Sequence, residues 1–129
     1  MKVLICGDRN WTSRELVRAW LHKLQALGYD TVIEGEARGA DTIARGEAEQ
    51  IGMNIMESEP GVKGFPAQWE KYGRAAGPIR NRQMLDQHPD LVVAFHHDIV
   101  HSKGTADTVS EARVRGIKVI VVGRGETVW

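Results

Sequence analysis

Three arginines carry the first chemical signal in this chain. Arg9, Arg38 and Arg80 each stand in a short segment that also holds glycine. A guanidinium so placed can clamp a carboxylate or phosphate through paired N–H bonds. In Gly7-Asp8-Arg9-Asn10, Gly7 permits a sharp turn and close backbone approach, as an ordinary strand-to-helix turn also requires. Gly35-Glu36-Ala37-Arg38-Gly39-Ala40-Asp41 leads into a helix, whose free N–H groups and dipole attract anions. Asp41 reads either as the cap of that helix or as a ligand contact. Ser102-Lys103-Gly104-Thr105 places hydroxyls, a small residue and a cation at another helix start, which makes a phosphate cradle or simple capping.

A fourth segment, residues 65–81, contains Trp69 and Tyr72 beside Lys71, Arg74, Arg80 and Asn81. Trp69 reads as a stacking platform for a ring or as a packing anchor for its own loop. Arg80 and Asn81 fall in the first turn of a predicted helix, where a cation opposes the dipole. An anionic ligand or an acidic neighbour would offset that cost. No GxGxxG fingerprint or Walker A loop is present, so no nicotinamide or other cofactor is expected. His96 and His97 alternate faces on a strand end, and with His101 they read as a solvated loop and not as metal ligands. Cys6, inside an apolar run, reads as inert core.

The elements that must position these residues follow from periodicity. Apolar runs at Val3–Cys6, Thr31–Glu34, Met53–Glu57, Leu91–Phe95 and Lys118–Val122 predict five strands. Between them fall four helices. The first runs from Thr12, with Glu15 at capping-box spacing, to Gly28. The second covers Ala40 to Ile51. The third opens on Pro78 and reaches about His88, and the fourth covers Thr105 to Arg115. Residues 58–77 read as a long irregular loop, a length associated with function. Alternating strands and helices give an α/β fold, a Rossmann-like three-layer sandwich with a mainly parallel five-stranded sheet in the order 3-2-1-4-5. Ligands bind such sheets at the carboxyl ends of the strands, where the strand order reverses. The loops carrying Gly7, Arg38 and Gly104 should therefore meet.

The 129 residues suit one domain, 1–129, able to bury its own core. Seventeen basic and seventeen acidic residues leave no net charge, which counts against a nucleic-acid polymer or a membrane surface as partner. No run approaches the ~20 apolar residues that span a bilayer, the N-terminus lacks a signal-peptide pattern, and the one cysteine suits a reducing compartment. A cytoplasmic location is expected. Apolar helix faces beyond those needed for one sheet leave room for a homo-oligomer.

Taken together, Gly7-Asp8-Arg9-Asn10-Trp11, the run from Gly35 to Ala44, Gln68 to Met84 and Gly104 to Thr108 resemble the YspA, YpsA-related branch of the SLOG superfamily. More distantly the chain is similar to phosphoribohydrolases of the LOG type and to the DNA-processing protein A family. The resemblance implies a Rossmann-like fold, a nucleotide or nucleotide-derived ligand, and contacts at Gly7, Arg9, Arg38, Asp41, Arg80, Asn81, Gly104 and Thr105. Asp8 stands where that branch commonly has serine, and Glu36 where it commonly has glycine. Thr108 stands at the glutamate of the hydrolases' Pro-Gly-Gly-x-Gly-Thr-x-x-Glu motif.

Two functions follow as expectations. The first is a sensor or processing module that binds a small nucleotide-like ligand through Gly7, Arg9, Gly35, Arg38, Gly39, Asp41, Trp69, Arg80, Asn81, Ser102, Gly104 and Thr105. The second is an N-glycosidic hydrolase acting on a nucleoside monophosphate. That chemistry needs a carboxylate beside an oxocarbenium-like centre; Asp8, Glu36, Asp41 and Asp107 are candidates, with Asp41 and Asp107 favoured by their neighbours. Single-stranded DNA binding would require a basic groove with serial aromatics, which four Trp, two Tyr and two Phe in a neutral chain do not provide.

Overall fold

Strict alternation along the central strands sorts their side chains into two cores. The computed structural model describes residues 1–123 and the backbone of Glu126–Val128. Strand β1 (Lys2–Gly7) sends Val3 and Ile5 to one face and Leu4 and Cys6 to the other, all buried. β1 pairs in parallel with β2 (Thr31–Ile33) on one side and with β6 (Leu91–Phe95) on the other. β2 continues to β3 (Asn54–Ile55), and β6 to β7 (Val119–Gly123). The parallel order β3-β2-β1-β6-β7 is the expected one, since β6 and β7 are the fourth and fifth predicted strands. A sixth strand, β8 (Glu126–Val128), adds antiparallel to β7 and was not anticipated.

Helices α1 (Arg14–Ala26) and α2 (Ala40–Gln50) cover one face through Val17, Leu21, Leu24, Ile43 and Ala44. Helices α4 (Ala76–Leu85) and α5 (Gly104–Val114) cover the other through Met84, Leu85, Val109 and Ala112. Crossovers leaving β1 toward β2 use the first face and those toward β6 and β7 the second. The strand order therefore reverses between β1 and β6.

Several boundaries differ from expectation for local reasons. The cap of α1 is Ser13, whose Oγ accepts from Leu16 N at 3.4 Å, and not Thr12. Helix α4 begins two residues before Pro78 and ends at Leu85, and His88 takes a left-handed φ of 56°. The predicted third strand is broken: its tail joins a separate hairpin, β4 (Glu57–Glu59) with β5 (Val62–Lys63). The remainder of the irregular segment includes α3 (Trp69–Tyr72), a single helical turn. Asp41 does not cap α2, because Gly39 holds that position and Asp41 lies inside the first turn.

Candidate functional site

At the reversal point the loops after β1 and β2 are locked to each other by backbone alone. Asp8 N donates to Phe95 O at 2.8 Å, which ties the ends of β1 and β6 together. A Cβ on Gly7 would stand 2.2 Å from that same carbonyl, so no side chain fits. Ala40 N donates to Asp8 O at 3.1 Å. Gly39, at φ +79°, would drive a Cβ to 2.3 Å from Asp8 O. Both glycines are thus required by close approach.

Asp41 braces the second loop from beneath. Its Oδ2 accepts from Gly35 N at 3.1 Å and from Ala37 N at 3.3 Å. Burial raises its pKa to about 6, against the opposing pull of the Arg80 guanidinium and those two N–H donors. Arg80 extends the brace by donating from Nη1 to Gly35 O at 2.7 Å and from Nε to Asn81 Oδ1 at 3.0 Å. Asn81, itself buried, donates onward to Gly104 O at 3.3 Å and Asp107 Oδ2 at 3.0 Å. An unbroken set of hydrogen bonds therefore runs from the β2 loop, through α4, to the first turn of α5. The position of Arg80 one turn inside α4 removes the dipole penalty expected of it, because its head reaches an acceptor carbonyl.

The cleft these loops enclose has two adjoining compartments. The inner one, about 350 Å³, lies between Gly7, Arg9, Arg38 and Arg80 and the start of α5 at Ser102, Gly104 and Thr105. Asp41 and Asn81 also line it, as do Asp8, Lys103 and Thr108. Ser102 Oγ accepts from Thr105 N at 3.1 Å, so this hydroxyl serves the helix start. The outer compartment, about 420 Å³, is bounded by Gly35, Glu36, Pro66 and Trp69 and shares Arg9, Ala37, Arg38 and Arg80 with the inner one. Trp69 is half exposed, and its ring edge faces Gly77. Two predicted residues do not line either compartment. Gly39 supports the loop from behind, and Asp107 turns to Asn81 and to Arg82, 3.5 Å away.

Among the described residues no carboxylate pairs with Arg9, Arg38 or Lys103. Several acidic side chains are engaged elsewhere. Glu47, for example, is gripped through both oxygens by Arg18 at 2.9 and 3.1 Å. Four cations thus face two carboxylates in the inner compartment, and burial raises the pKa of one of those, Asp41, to about 6.

Three residues outside the favoured set also bear on the site: His96, read from the sequence as part of a solvated loop; Glu36, one of the carboxylates considered for hydrolysis; and Glu34, which the sequence did not single out. His96 borders the inner compartment, with Nδ1 accepting from Asp98 N at 2.9 Å. Glu34, at the end of β2, is fully buried; its Oε2 accepts from Glu36 N at 2.6 Å and its Oε1 has no hydrogen-bond partner. Burial raises the Glu34 pKa to about 7. Glu36 lines the outer compartment in a left-handed conformation, φ 56°. The sequence places Glu34 as the last residue of a predicted strand; the observed strand ends at Ile33, and the side-chain orientation of Glu34 follows from packing. His97 stacks on buried Trp11 at 4.5 Å, and no group of three metal-ligating side chains gathers among the described residues.

A parallel sheet whose order reverses beside glycine loops and converging arginines defines a Rossmann-like domain with a cleft built at the switch point. The sequence profile of the YspA, cpYpsA-related SLOG family (YAcAr) matches residues 1–72. Gene 61 protein of Mycobacterium phage D29 is 36% identical over 127 residues, spanning 95% of this chain and 96% of that protein. The chain belongs to the YspA, cpYpsA-related SLOG family. Its fold also matches the X-ray structure of DNA processing protein A (DprA) from Streptococcus pneumoniae, with a TM-score of 0.71 at 18% identity over 93% of this chain. The chain spans 49% of that protein's length.

Proposed function

We propose that the cleft binds a nucleotide or nucleotide-derived anion, and that the protein acts as a sensor or ligand-processing module. One observation carries this reading: Arg9 and Arg38 stand at the mouth of a cleft floored by a helix start, with no carboxylate to neutralise them among the described residues. Both arginines are exposed and free of ion pairs among the described residues, so a phosphate gains paired, charge-assisted N–H bonds from them without breaking an existing pair. The α5 N-terminus adds a favourable dipole for the same charge.

Hydrolysis of a nucleoside monophosphate is the second reading, supported by Asp41 alone. Asp41 lines the cleft and its pKa is raised to about 6, a value suited to proton transfer. Its Oδ2 is committed to two backbone donors, and Asp107 is committed outside the cleft.

Thermal stabilisation by a panel of nucleotides, followed together with free-base release by chromatography, separates the two. Binding without base release, weakened at least tenfold in Arg38→Ala, supports the module. Base release abolished in Asp41→Asn supports the hydrolase. No stabilisation by any nucleotide overturns both.

A further inference from the structure

The two compartments differ in chemistry, and that difference gives the cleft a polarity. The inner compartment holds Lys103, hydroxyls and a helix start. The outer one replaces these with the half-exposed Trp69 ring and the Glu36 carboxylate. Arg9 and Arg38 line the boundary between them. Both compartments share Arg9, Arg38 and Arg80. The inner one adds Lys103 and the start of α5 beside Asp8 and Asp41, whereas the outer one adds the Glu36 carboxylate and an aromatic ring. The helix N–H groups that suit a phosphate therefore lie inside.

Glu36 is unusual in a second respect. It sits at φ 56°, a region that glycine adopts freely and a glutamate does not. Arg45 engages its Oε1 from the side of α2, fixing the side chain at the compartment wall. A glycine here would relieve the backbone but leave the outer compartment without an acceptor.

We propose that the outer compartment is a base-reading subsite, in which Trp69 stacks on a heterocycle while Glu36 accepts hydrogen bonds from its ring N–H or amino group. The ligand class is then a nucleoside 5′-phosphate with its phosphate inside and an N–H-bearing base outside. This rests on the reading that the inner compartment holds the anion. Aromatic stacking is tolerant of base identity, so Trp69 supplies affinity. Arg45 holds one Glu36 oxygen, and a base that donates to the carboxylate gains a charge-assisted hydrogen bond that a base without donors lacks, so Glu36 supplies discrimination.

Calorimetric titration with four probes tests it: guanosine and adenosine 5′-monophosphate, purine riboside 5′-monophosphate, which lacks every N–H on its pairing edge, and ribose 5-phosphate. The wild type should bind at least one of the first two roughly tenfold tighter than purine riboside 5′-monophosphate. Glu36→Gly, compatible with the backbone, should erase that ratio, and Glu36→Gln, which keeps an acceptor oxygen but loses the charge, should reduce it, both leaving ribose 5-phosphate binding unchanged. Trp69→Ala should weaken all base-bearing probes together while leaving ribose 5-phosphate unchanged. Equal affinity for all four probes, or ratios unmoved by either substitution, would overturn the base subsite and leave the anion site standing. Failure of the wild type to bind any probe would overturn both.

Discussion

Glu34 and Asp41 are carboxyls whose burial raises their pKa values to about 7 and about 6, above ordinary values of 4.5 and 3.8. The folded chain therefore binds more protons than the unfolded chain between those limits. Stability from this source is fully present below the unfolded values and is lost as pH rises through 6 to 7. Asp30 and Glu47 are shifted the other way, so their contribution is complete before that window opens. Urea unfolding should therefore show a fall in stability from pH 5 to pH 8, on the order of 2 kcal/mol. Glu34→Gln should flatten most of it, and an unchanged slope would refute the assignment. Gly7 makes a second prediction at this scale. Gly7→Ala puts a methyl 2.2 Å from a backbone carbonyl that cannot swing away, so about 3 kcal/mol should be lost in the same assay.

At the scale of elements, the hydrogen-bonded path from Gly35 through Arg80 and Asn81 to Gly104 makes α4 a spacer between two loops of the cleft. Asn81→Ala removes one donor each from the Gly104 carbonyl, which keeps Thr108 Oγ1, and from Asp107 Oδ2, which keeps Arg82, and takes the acceptor from Arg80 Nε, at a cost of about 1 kcal/mol. Hydrogen exchange should show the first turn of α5 losing protection while the centre of β1 does not. Ser13→Ala should lower stability by about 0.5–1 kcal/mol, while Thr12→Ala should leave it unchanged. The converse result would restore the capping-box expectation. The strands were legible because their alternation and apolar runs are set by burial on both sheet faces, as in Leu91–Phe95. The β4–β5 hairpin was not, since Glu57, Ser58 and Glu59 are exposed and carry no such pattern. Choosing between Thr12 and Ser13 depended on backbone angles that two adjacent hydroxyls do not distinguish. The meeting of three loops at one sheet end was foreseen; the outward turn of Asp107 and the burial of Glu34 beside Arg45 depend on packing, which residue order does not specify.

For the molecule as a whole, zero net charge coexists with a locally cationic cleft, because carboxylates are drawn to pairs on α1–α2 and α4–α5. Long-range attraction to a polyanion is weak in such a distribution, whereas a small anion inside the cleft meets the full local field. A single-stranded oligonucleotide should accordingly compete no better than its constituent mononucleotides at 150 mM salt. Anisotropy showing strong, steeply salt-dependent oligonucleotide binding would count against that.

The shortness of β3 has an effect on solubility. Only Asn54 and Ile55 pair at that margin of the sheet before the chain departs into Glu57, Ser58 and Glu59. Another strand has almost no ladder to copy there, and an acidic spur repels the attempt. Replacing Glu57 and Glu59 with valine would remove that guard, and light scattering during slow heating should then rise at a lower temperature than for the wild type, with the cleft itself untouched.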